Sequence, residues 1–496
     1  MSLARVATRS RNGLNATLIW VETHLSQGLP AIVMVGISES VVRDAKERVR
    51  SAIISSGFRW PDSRLTISFS PASALKTGAS FDLPIAVSIL LASKQLPDAL
   101  AQGTEFYGEL SLDGRVLTTT GLLAAGASER EKQVTIFTPK PNAMALAPFC
   151  SRVVGLRHLS ELRTPDRLSE SDFRECSPAR TNGVATTYQL PAGQASLWRA
   201  AEIAAAGGHH LLMSGEPGAG KTMTAGLIRQ LLPDPSDEEM LESQILFDIA
   251  NKPCPSHRPF RSPHHSISLT GLVGGTRHAT PGEISLAHHG ILFLDELPEF
   301  SLATIEALRQ PLEAGHIQIT RAEQSHLYPA KFQLIAAMNP CPCGYRGSSE
   351  TACRCSSSAL TRYDAKLSGP LLDRIDMFIR VSRSKLSDVM APQTTQYDRL
   401  ERVRQSVLVA RESQIVRQGQ QNSLLPSSDV LDSCSLTGET KKWLESTGER
   451  LKLSGRSLHR CLRVARTIAD LTGAASVSQT DLTEALAYRI AIKANP

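Results

Sequence analysis

Eight consecutive residues near the middle of the 496-residue chain have the spacing of a phosphate-binding loop, G-x-x-x-x-G-K-[ST]. They are Gly215, Glu216, Pro217, Gly218, Ala219, Gly220, Lys221 and Thr222. Glycines let backbone N–H groups close around phosphate oxygens, and the pattern needs a strand before it and a helix after it. The runs LLMSG and TMTAGLIRQLL supply both. We expect these residues to bind ATP, with Lys221 on the β- and γ-phosphates and Thr222 on Mg²⁺; a chance glycine-rich turn is the alternative.

Two later apolar runs end in polar side chains that suit the same site. The run ILFLDE ends in Asp295 and Glu296, and the run FQLIAAMN ends in Asn339. Asp295 can join the magnesium shell, and Glu296 can polarise the attacking water as a general base. Asn339 can orient the same water. Each run alone is also typical of an ordinary buried strand, so it is their order after the phosphate loop that favours catalysis.

Two arginines further along the chain could contact phosphate. Arg374, in LSGPLLDRID, could reach the γ-phosphate of a neighbouring subunit, although a salt bridge with Asp373 or Asp376 is what the residues alone favour. Arg456 begins the run LSGRSLHRCLRVARTIADL, whose apolar stripe predicts an amphipathic helix. The basic side of that helix carries Arg456, Arg460, Arg463 and Arg466. We expect either a solvated basic face or, at Arg456, a phosphate contact.

Four of the nine cysteines fall in the stretch NPCPCGYRGSSETACRC, which leaves the strand that ends at Asn339. They are Cys341, Cys343, Cys353 and Cys355. Two C-x-C pairs can place four thiolates around Zn²⁺; reduced structural thiols are the alternative, because C-x₂-C is the commoner pair spacing. Arg346 and Arg354 lie in the same stretch and could contact phosphates of an anionic partner. We expect metal loss to affect those contacts more than nucleotide binding, because the phosphate loop is built elsewhere in the chain.

The elements that position these residues divide the chain into domains. Residues 1–165 predict an α/β domain, with a helical stripe over ISESVVRDAKERVRSAIISSGF and a hairpin turn at Asp113-Gly114. Residues 166–192 are polar and aperiodic, which indicates a linker. Residues 193–395 alternate helices and strands around the phosphate loop, and residues 396–496 are helical. The fold class is therefore α/β and multidomain.

Composition sets the remaining limits. A chain of 496 residues is too long for one core, and its 41% hydrophobic and 21% charged content is ordinary for a soluble protein. A net charge of +6 permits an anionic partner, and 5% aromatic content supplies few stacking platforms, so DNA contact would follow phosphates. No run of 18 apolar residues predicts a membrane span. Cysteines without framework spacing indicate a reducing, cytoplasmic compartment.

The order of these motifs resembles the AAA+ ATPases, in the branch that contains magnesium chelatase and the MCM helicases. The segments PHHSISLTGLVGG and PGEISLAHHGILFLDELPEF are more specific. Together with LSGPLLDRID and HRCLRVARTIADL, they are similar to the ComM-type family of magnesium-chelatase-like ATPases. The resemblance covers nearly the whole chain, including FDLPIA in the first domain.

The resemblance implies an AAA+ core with a helix-two insert at about 258–282 and a helical lid at 396–496. It further implies a homohexamer that hydrolyses ATP to drive branch migration of DNA during natural transformation, with recombination proteins as further partners. By similarity, the Walker A pair is Lys221 and Thr222, the Walker B pair Asp295 and Glu296, sensor one Asn339, the arginine finger Arg374 and sensor two Arg456. A hairpin over HIQITRAEQSHLYP, with Arg321 near its tip, would face DNA; an ordinary exposed hairpin is the alternative.

The first domain resembles the S5-type proteolytic domain of Lon, whose chemistry needs a serine activated by a lysine. Alignment of FDLPIA places Asp82 at the serine position, and alignment of GLLAAG places Leu123 at the lysine position. We therefore expect a scaffold or DNA-guiding collar without peptidase activity. The S-x-x-K match at Ser73–Lys76 is too short to carry weight. Glu216 stands where the family often has a proline.

Three functions remain open on the residues. A DNA-translocating motor requires ATP hydrolysis that DNA stimulates. A chelatase-type motor acting on a protein partner should need no Lon-like domain, so residues 1–165 argue against it. An ATP-dependent protease is disfavoured by Asp82 and Leu123.

Overall fold

The computed structural model describes residues 2–36, 39–71, 79–128, 134–147, 150, 152–164, 194–275, 279–321, 324–348, 350–367, 369–383 and 394–490. The predicted linker at 166–192 and Ser73–Lys76 lie outside these ranges. Two compact units are present, one of residues 1–183, 240–256 and 324–328, the other of residues 184–239, 257–323 and 329–496. Over the described ranges, no helix combines the length and the apolar character needed to cross a bilayer.

The first unit is built on a mixed sheet. Its strands are β1 (Ser2–Asn12), β2 (Asn15–Ser26), β3 (Ala31–Val35), β4 (Arg64–Ser70), β5 (Thr104–Phe106), β6 (Glu109–Leu110), β7 (Val116–Leu117), β8 (Thr135–Pro139) and β9 (Arg152–Leu156). Its helices are α1 (Glu39–Ser55), α2 (Asp82–Ala92), α3 (Leu123–Ser128) and α4 (Lys140–Leu146). The sheet order is β3-β4-β2-β1-β5-β8-β9, in which β2 runs antiparallel to both neighbours.

The predicted elements of this unit are confirmed. Helix α1 covers the stripe read from the sequence, with Ala45, Val49 and Ile53 buried in the core of this unit, and it stops before Gly57 at φ +77°. Strands β6 and β7 pair antiparallel around the Asp113-Gly114 turn. The helical spacing of apolar residues and the Asp-Gly turn signal were therefore sufficient to place these elements.

Asp82 is buried at the start of α2, with only 1% of the residue exposed. Arg48 donates to its carboxylate through Nε at 2.7 Å and Nη2 at 3.2 Å, and the Leu110 N–H donates at 3.3 Å. Burial raises the pKa of Asp82 to about 6, while Arg48 opposes that rise. Leu123 is buried as well. Asp82 is therefore an arginine-bound carboxylate, and Leu123 is a buried apolar side chain.

The remaining elements follow in chain order, and residues 240–256 and 324–328 among them belong to the first unit. The strands are β10 (Leu211–Gly215), β11 (Phe260–Arg261), β12 (Ile291–Leu294), β13 (His316–Arg321), β14 (Gln324–Pro329), β15 (Gln333–Met338) and β16 (Met377–Val381). The helices up to the last strand are α5 (Ala195–Gly207), α6 (Lys221–Leu231), α7 (Asp237–Ile249), α8 (Leu269–Val273), α9 (Glu283–Leu286), α10 (Leu302–Glu306), α11 (Arg309–Ala314), α12 (Ser357–Asp364) and α13 (Gly369–Leu372). The later helices are α14 (Thr394–Gln418), α15 (Val430–Cys434), α16 (Gly438–Arg450), α17 (Gly455–Leu471) and α18 (Gln479–Ile490).

A parallel sheet with the order β11-β12-β15-β10-β16 forms the centre of the second unit. Strands β12 and β15 are buried along their whole length, as strands covered by helices on both faces should be. Ser214 lies opposite Met338, and Leu294 lies opposite Ala336. Because parallel strands end at the same edge, this register brings the phosphate loop, Asp295 and Asn339 to one edge of the sheet.

The C-terminal helices are confirmed, but the solvated basic face predicted for α17 is wrong for three of its four arginines. Arg466 is only 1% exposed, and it donates to Asp470 at 3.1 Å and to the Ala475 carbonyl at 2.9 Å. Arg460 donates to Asp376 at 2.6 Å, and Arg463 donates to a backbone carbonyl. The helical pattern predicted exposed side chains. Tertiary packing instead gives each of these three guanidinium groups an acceptor within the protein.

Candidate functional site

The phosphate loop joins β10 to α6 in a conformation that glycine makes possible. Gly218 and Gly220 have φ angles of +77° and +86°, a region that glycine enters without steric cost. A Cβ on Gly215 would lie 2.2 Å from the Val381 carbonyl oxygen, so a larger residue would not fit against β16. Helix α6 begins directly at Lys221, so its first N–H groups are available to an anion.

Lys221 and Asn339 are in direct contact at the edge of the sheet. The Lys221 ammonium donates to the carbonyl oxygens of Gly215 at 2.6 Å and Glu216 at 3.1 Å, and to Asn339 Oδ1 at 3.0 Å. Burial lowers the pKa of Lys221, and the carboxylates of the acidic pair after β12 oppose that shift. All three acceptors are neutral, and a phosphate oxygen would bind the ammonium more strongly because its charge assists the hydrogen bond.

Thr222 and Asp295, the predicted magnesium residues, are also adjacent. Thr222 Oγ1 donates to Asp295 Oδ2 at 3.1 Å, and Asp295 Oδ1 accepts from the Glu296 N–H at 2.9 Å. A hydroxyl and a carboxylate beside a phosphate loop fit the oxygen ligands that Mg²⁺ takes in nucleotide sites. The donor set is therefore suitable for a magnesium-bound nucleotide.

Glu296 has an uncommon backbone conformation, with φ +53° and ψ +46°. A non-glycine residue in the left-handed region is strained, and such strain is concentrated at functional sites. Its carboxylate is 52% exposed and lies 3.5 Å from His265 Nδ1. His265 belongs to PHHSISLTGLVGG, but its contact with Glu296 could not be predicted from that segment. Only the folded chain brings the two residues together.

Arg374 is held by its own chain, although by neither expected partner. Its Nη2 lies 2.5 Å from Glu313 Oε1, and its Nη1 donates to the Pro370 carbonyl at 2.6 Å. The predicted salt bridge to Asp373 or Asp376 is therefore wrong, since those carboxylates pair with other arginines. The side chain is only 13% exposed, and a role toward a neighbouring subunit stays a prediction.

The other basic residues differ in their surroundings. Arg456 is exposed in the first turn of α17, and Arg354 is exposed in the cysteine stretch. Arg346 pairs with Asp364 at 3.0 Å. Strands β13 and β14 form a two-stranded sheet, and Arg321 ends β13, although its side chain lies outside the described part. The structure leaves the DNA contacts of these arginines as predictions.

The four clustered cysteines converge, with every sulfur within 4.8 Å of the others. Cys341 Sγ lies 3.3 Å from Cys343 Sγ and 3.7 Å from Cys353 Sγ. Sulfurs at about 2.3 Å from one tetrahedral ion would be ~3.8 Å apart, whereas a disulfide requires about 2.05 Å. The N–H groups of Arg354 and Tyr345 lower the pKa of Cys343 to about 6. The cluster has the dimensions of a tetrahedral thiolate site.

The expectation that the phosphate loop is built apart from the cysteine stretch is wrong. A Cβ on Gly344 would lie 2.9 Å from Pro217 Cδ, so the two loops are in contact. Close by, the Tyr363 hydroxyl holds the end of β15 by donating to the Asn339 carbonyl at 2.9 Å. Sequence spacing could not reveal either contact.

Comparison with known proteins agrees with this arrangement. The family described as magnesium chelatase, subunit ChlI, matches residues 189–389; its ChlI and C-terminal families match residues 21–142 and 398–489. The uncharacterized protein YifB of Escherichia coli K12 is 41% identical over 99% of this chain and 97% of its own. The competence protein ComM of Haemophilus influenzae is 38% identical over 99% and 98%.

A protein of Mycobacterium tuberculosis, Rv2897c, is 36% identical over 99% of each chain. These matches cover nearly the whole sequence, so the matched region includes the phosphate loop, the acidic strand and the helical C-terminus. The chain therefore belongs to the ComM-like family of magnesium-chelatase-like AAA+ ATPases.

Proposed function

We propose that the protein is a hexameric, ATP-driven DNA helicase or translocase that promotes branch migration of recombination intermediates during natural transformation. The observation that carries the motor part is the convergence of Lys221, Asn339, Thr222 and Asp295 at one edge of the parallel sheet. The DNA part rests on the resemblance to the ComM-type family and on the competence protein among the relatives. We place this activity in the cytoplasm, with recombination proteins as further partners.

The chain's own groups divide the chemistry of hydrolysis. Lys221 exchanges its carbonyl partners for phosphate oxygens, and Thr222 and Asp295 would hold Mg²⁺, which would supply positive charge against the phosphates. The exposed Glu296 carboxylate accepts the proton of the attacking water. Asn339 orients that water from the neighbouring strand. Hydrolysis then requires Arg374 to leave Glu313 and approach the γ-phosphate in the adjacent subunit.

Two other functions are weaker alternatives. A Lon-like protease is disfavoured by the Asp82–Arg48 ion pair and by the buried Leu123. A chelatase-type motor acting on a protein partner shares the nucleotide site, so only the response to DNA separates it from a translocase. Arg321, Arg346, Arg354 and the insert near 258–282 are the DNA-facing groups that we propose, with contacts made to phosphates.

We also propose that Cys341, Cys343, Cys353 and Cys355 bind one Zn²⁺ per subunit. Thiolate sulfurs favour zinc, and the measured sulfur separations fit a tetrahedral ion. Reduced thiols without metal would gain only weak S–H···S hydrogen bonds from such close approach. The zinc would order a loop that has no hydrophobic core of its own.

Stimulation by DNA tests the proposed function. We expect four-way and forked DNA to raise ATP turnover several-fold, with an effect that weakens as salt rises because the contacts are to phosphates. Turnover should be measured with and without each DNA at two salt concentrations, with heparin as a polyanion control. Turnover that is unchanged by every DNA would favour the chelatase-type alternative.

Substitution of Lys221 and Glu296 separates binding from hydrolysis. Lys221→Ala should abolish ATP binding, because it removes the ammonium from the phosphate loop. Glu296→Gln should bind ATP normally and turn over at least about 100-fold more slowly, because the general base is lost. The neighbouring exposed Glu299→Gln is the matched control. Near-normal turnover in Glu296→Gln would contradict the assignment.

The trans role of Arg374 predicts complementation between subunits. Arg374→Ala should bind ATP and lose about a thousandfold in turnover, whereas the exposed Arg362→Ala should not. Mixed assemblies of Arg374→Ala and Lys221→Ala subunits should regain part of the activity, since some interfaces pair an intact finger with an intact phosphate loop. No recovery in assemblies shown to be mixed would exclude action in trans.

Zinc content tests the cysteine assignment. Elemental analysis of protein never exposed to chelator should give about one zinc per subunit. Cys353→Ser/Cys355→Ser should lose it, whereas Cys254→Ser, outside the cluster, should retain it. Zinc well below one per subunit in the unsubstituted protein would leave reduced thiols as the explanation.

A further inference from the structure

The loop that carries the cysteines packs directly on the phosphate loop. Gly344 has φ +86°, and a Cβ there would lie 2.9 Å from Cδ and 3.0 Å from Cγ of Pro217. The proline ring cannot rotate away as a flexible side chain could. The contact therefore fixes the distance between Gly344 in the cysteine loop and Pro217 in the phosphate loop.

An arginine joins the same two loops through charge. Arg383 Nε lies 3.2 Å from Glu216 Oε2 in the phosphate loop, and its Nη1 lies 3.9 Å from Glu350 Oε2 in the cysteine loop. Both carboxylates thus share one guanidinium. Movement of either loop would weaken its attraction to this cation.

The strand side of the nucleotide site is tied to the cysteines as well. Cys341 is buried and follows Asn339 with only Pro340 between them. The Tyr363 hydroxyl holds the Asn339 carbonyl at 2.9 Å, and the Asn339 amide oxygen accepts from Lys221 at 3.0 Å. The first cysteine of the cluster therefore lies two residues after the side chain that accepts from the phosphate-binding lysine.

We propose that metal bound by the four cysteines braces the ATP site, so that metal occupancy sets ATP affinity. The inference rests on the proposed zinc and ATP sites. A short loop without a hydrophobic core depends on its metal for order. If the phosphate loop loses this support, part of the free energy of ATP binding must be used to order it. Loss of the metal would remove the support that the Gly344 segment gives Pro217.

Two glycines of the cysteine loop allow a matched test. Gly347 has φ +77°, but a Cβ there would meet nothing within 4 Å, so Gly347→Ala reproduces the backbone strain without the contact. Gly344→Ala should raise the Kd for a non-hydrolysable ATP analogue at least about fivefold, and Gly347→Ala should stay within about twofold. Both proteins should keep the zinc content of the unsubstituted chain.

The double variant Gly344→Ala/Pro217→Ala identifies the contact. Removing the ring should relieve the clash and return the Kd to that of Pro217→Ala alone. Treatment of the unsubstituted protein with a zinc-selective chelator, in excess Mg²⁺, is a second test that needs no variant. The Kd of the treated protein should rise at least about fivefold and recover when Zn²⁺ is restored.

The outcomes distinguish a failure of this inference from a failure of the proposed function. Equal Kd values for Gly344→Ala and Gly347→Ala, or for zinc-loaded and zinc-free protein, would overturn the brace while leaving the zinc and ATP sites intact. An unsubstituted protein without zinc would overturn the cysteine assignment and the brace together. Failure of that protein to bind the analogue would overturn the proposed function itself.

Discussion

The hydrogen bond from Lys221 to Asn339 joins the first residue of α6 to the carboxyl end of β15, and the rest of the site lies around it. It can form only because Ser214 lies opposite Met338, which places the residues after β10 and β15 at one edge. A slip of one residue in this register would turn the side chains to the other face of the sheet. The register is in turn held by burial of both strands between helices. The phosphate, magnesium and water contacts that we propose all depend on that alignment.

The sequence was sufficient for the features that depend on local pattern. The phosphate loop, the apolar strands that end at Asp295 and Asn339, and α17 are where their patterns predict, because burial and glycine geometry act over a few residues. The partner of Arg374 was not predictable, since Glu313 is brought to it by the fold alone. Burial of Arg466 was missed for the same reason: a helical wheel cannot show acceptors that later residues supply.

The two units differ in how they use buried charge. In the first unit, Asp82 and Arg48 neutralise one another at the position where the resemblance to Lon would place a serine nucleophile. In the second, Lys221 is buried against neutral oxygens and therefore ready for an anion. The chain thus concentrates its chemistry at the edge of the parallel sheet, where the cysteine loop and the phosphate loop meet at Gly344 and Pro217.

Substitution of Asn339 by alanine, with analogue binding and single-turnover ATP hydrolysis measured on the same protein, tests the central claim most directly. If Asn339 orients the attacking water, affinity for the analogue should stay within about fivefold while hydrolysis falls at least about 100-fold. Tyr363 would still hold the backbone carbonyl, so the strand end should stay in place. Hydrolysis at the rate of the unsubstituted protein would contradict the account, because the residue at the end of β15 would then have no part in the chemistry.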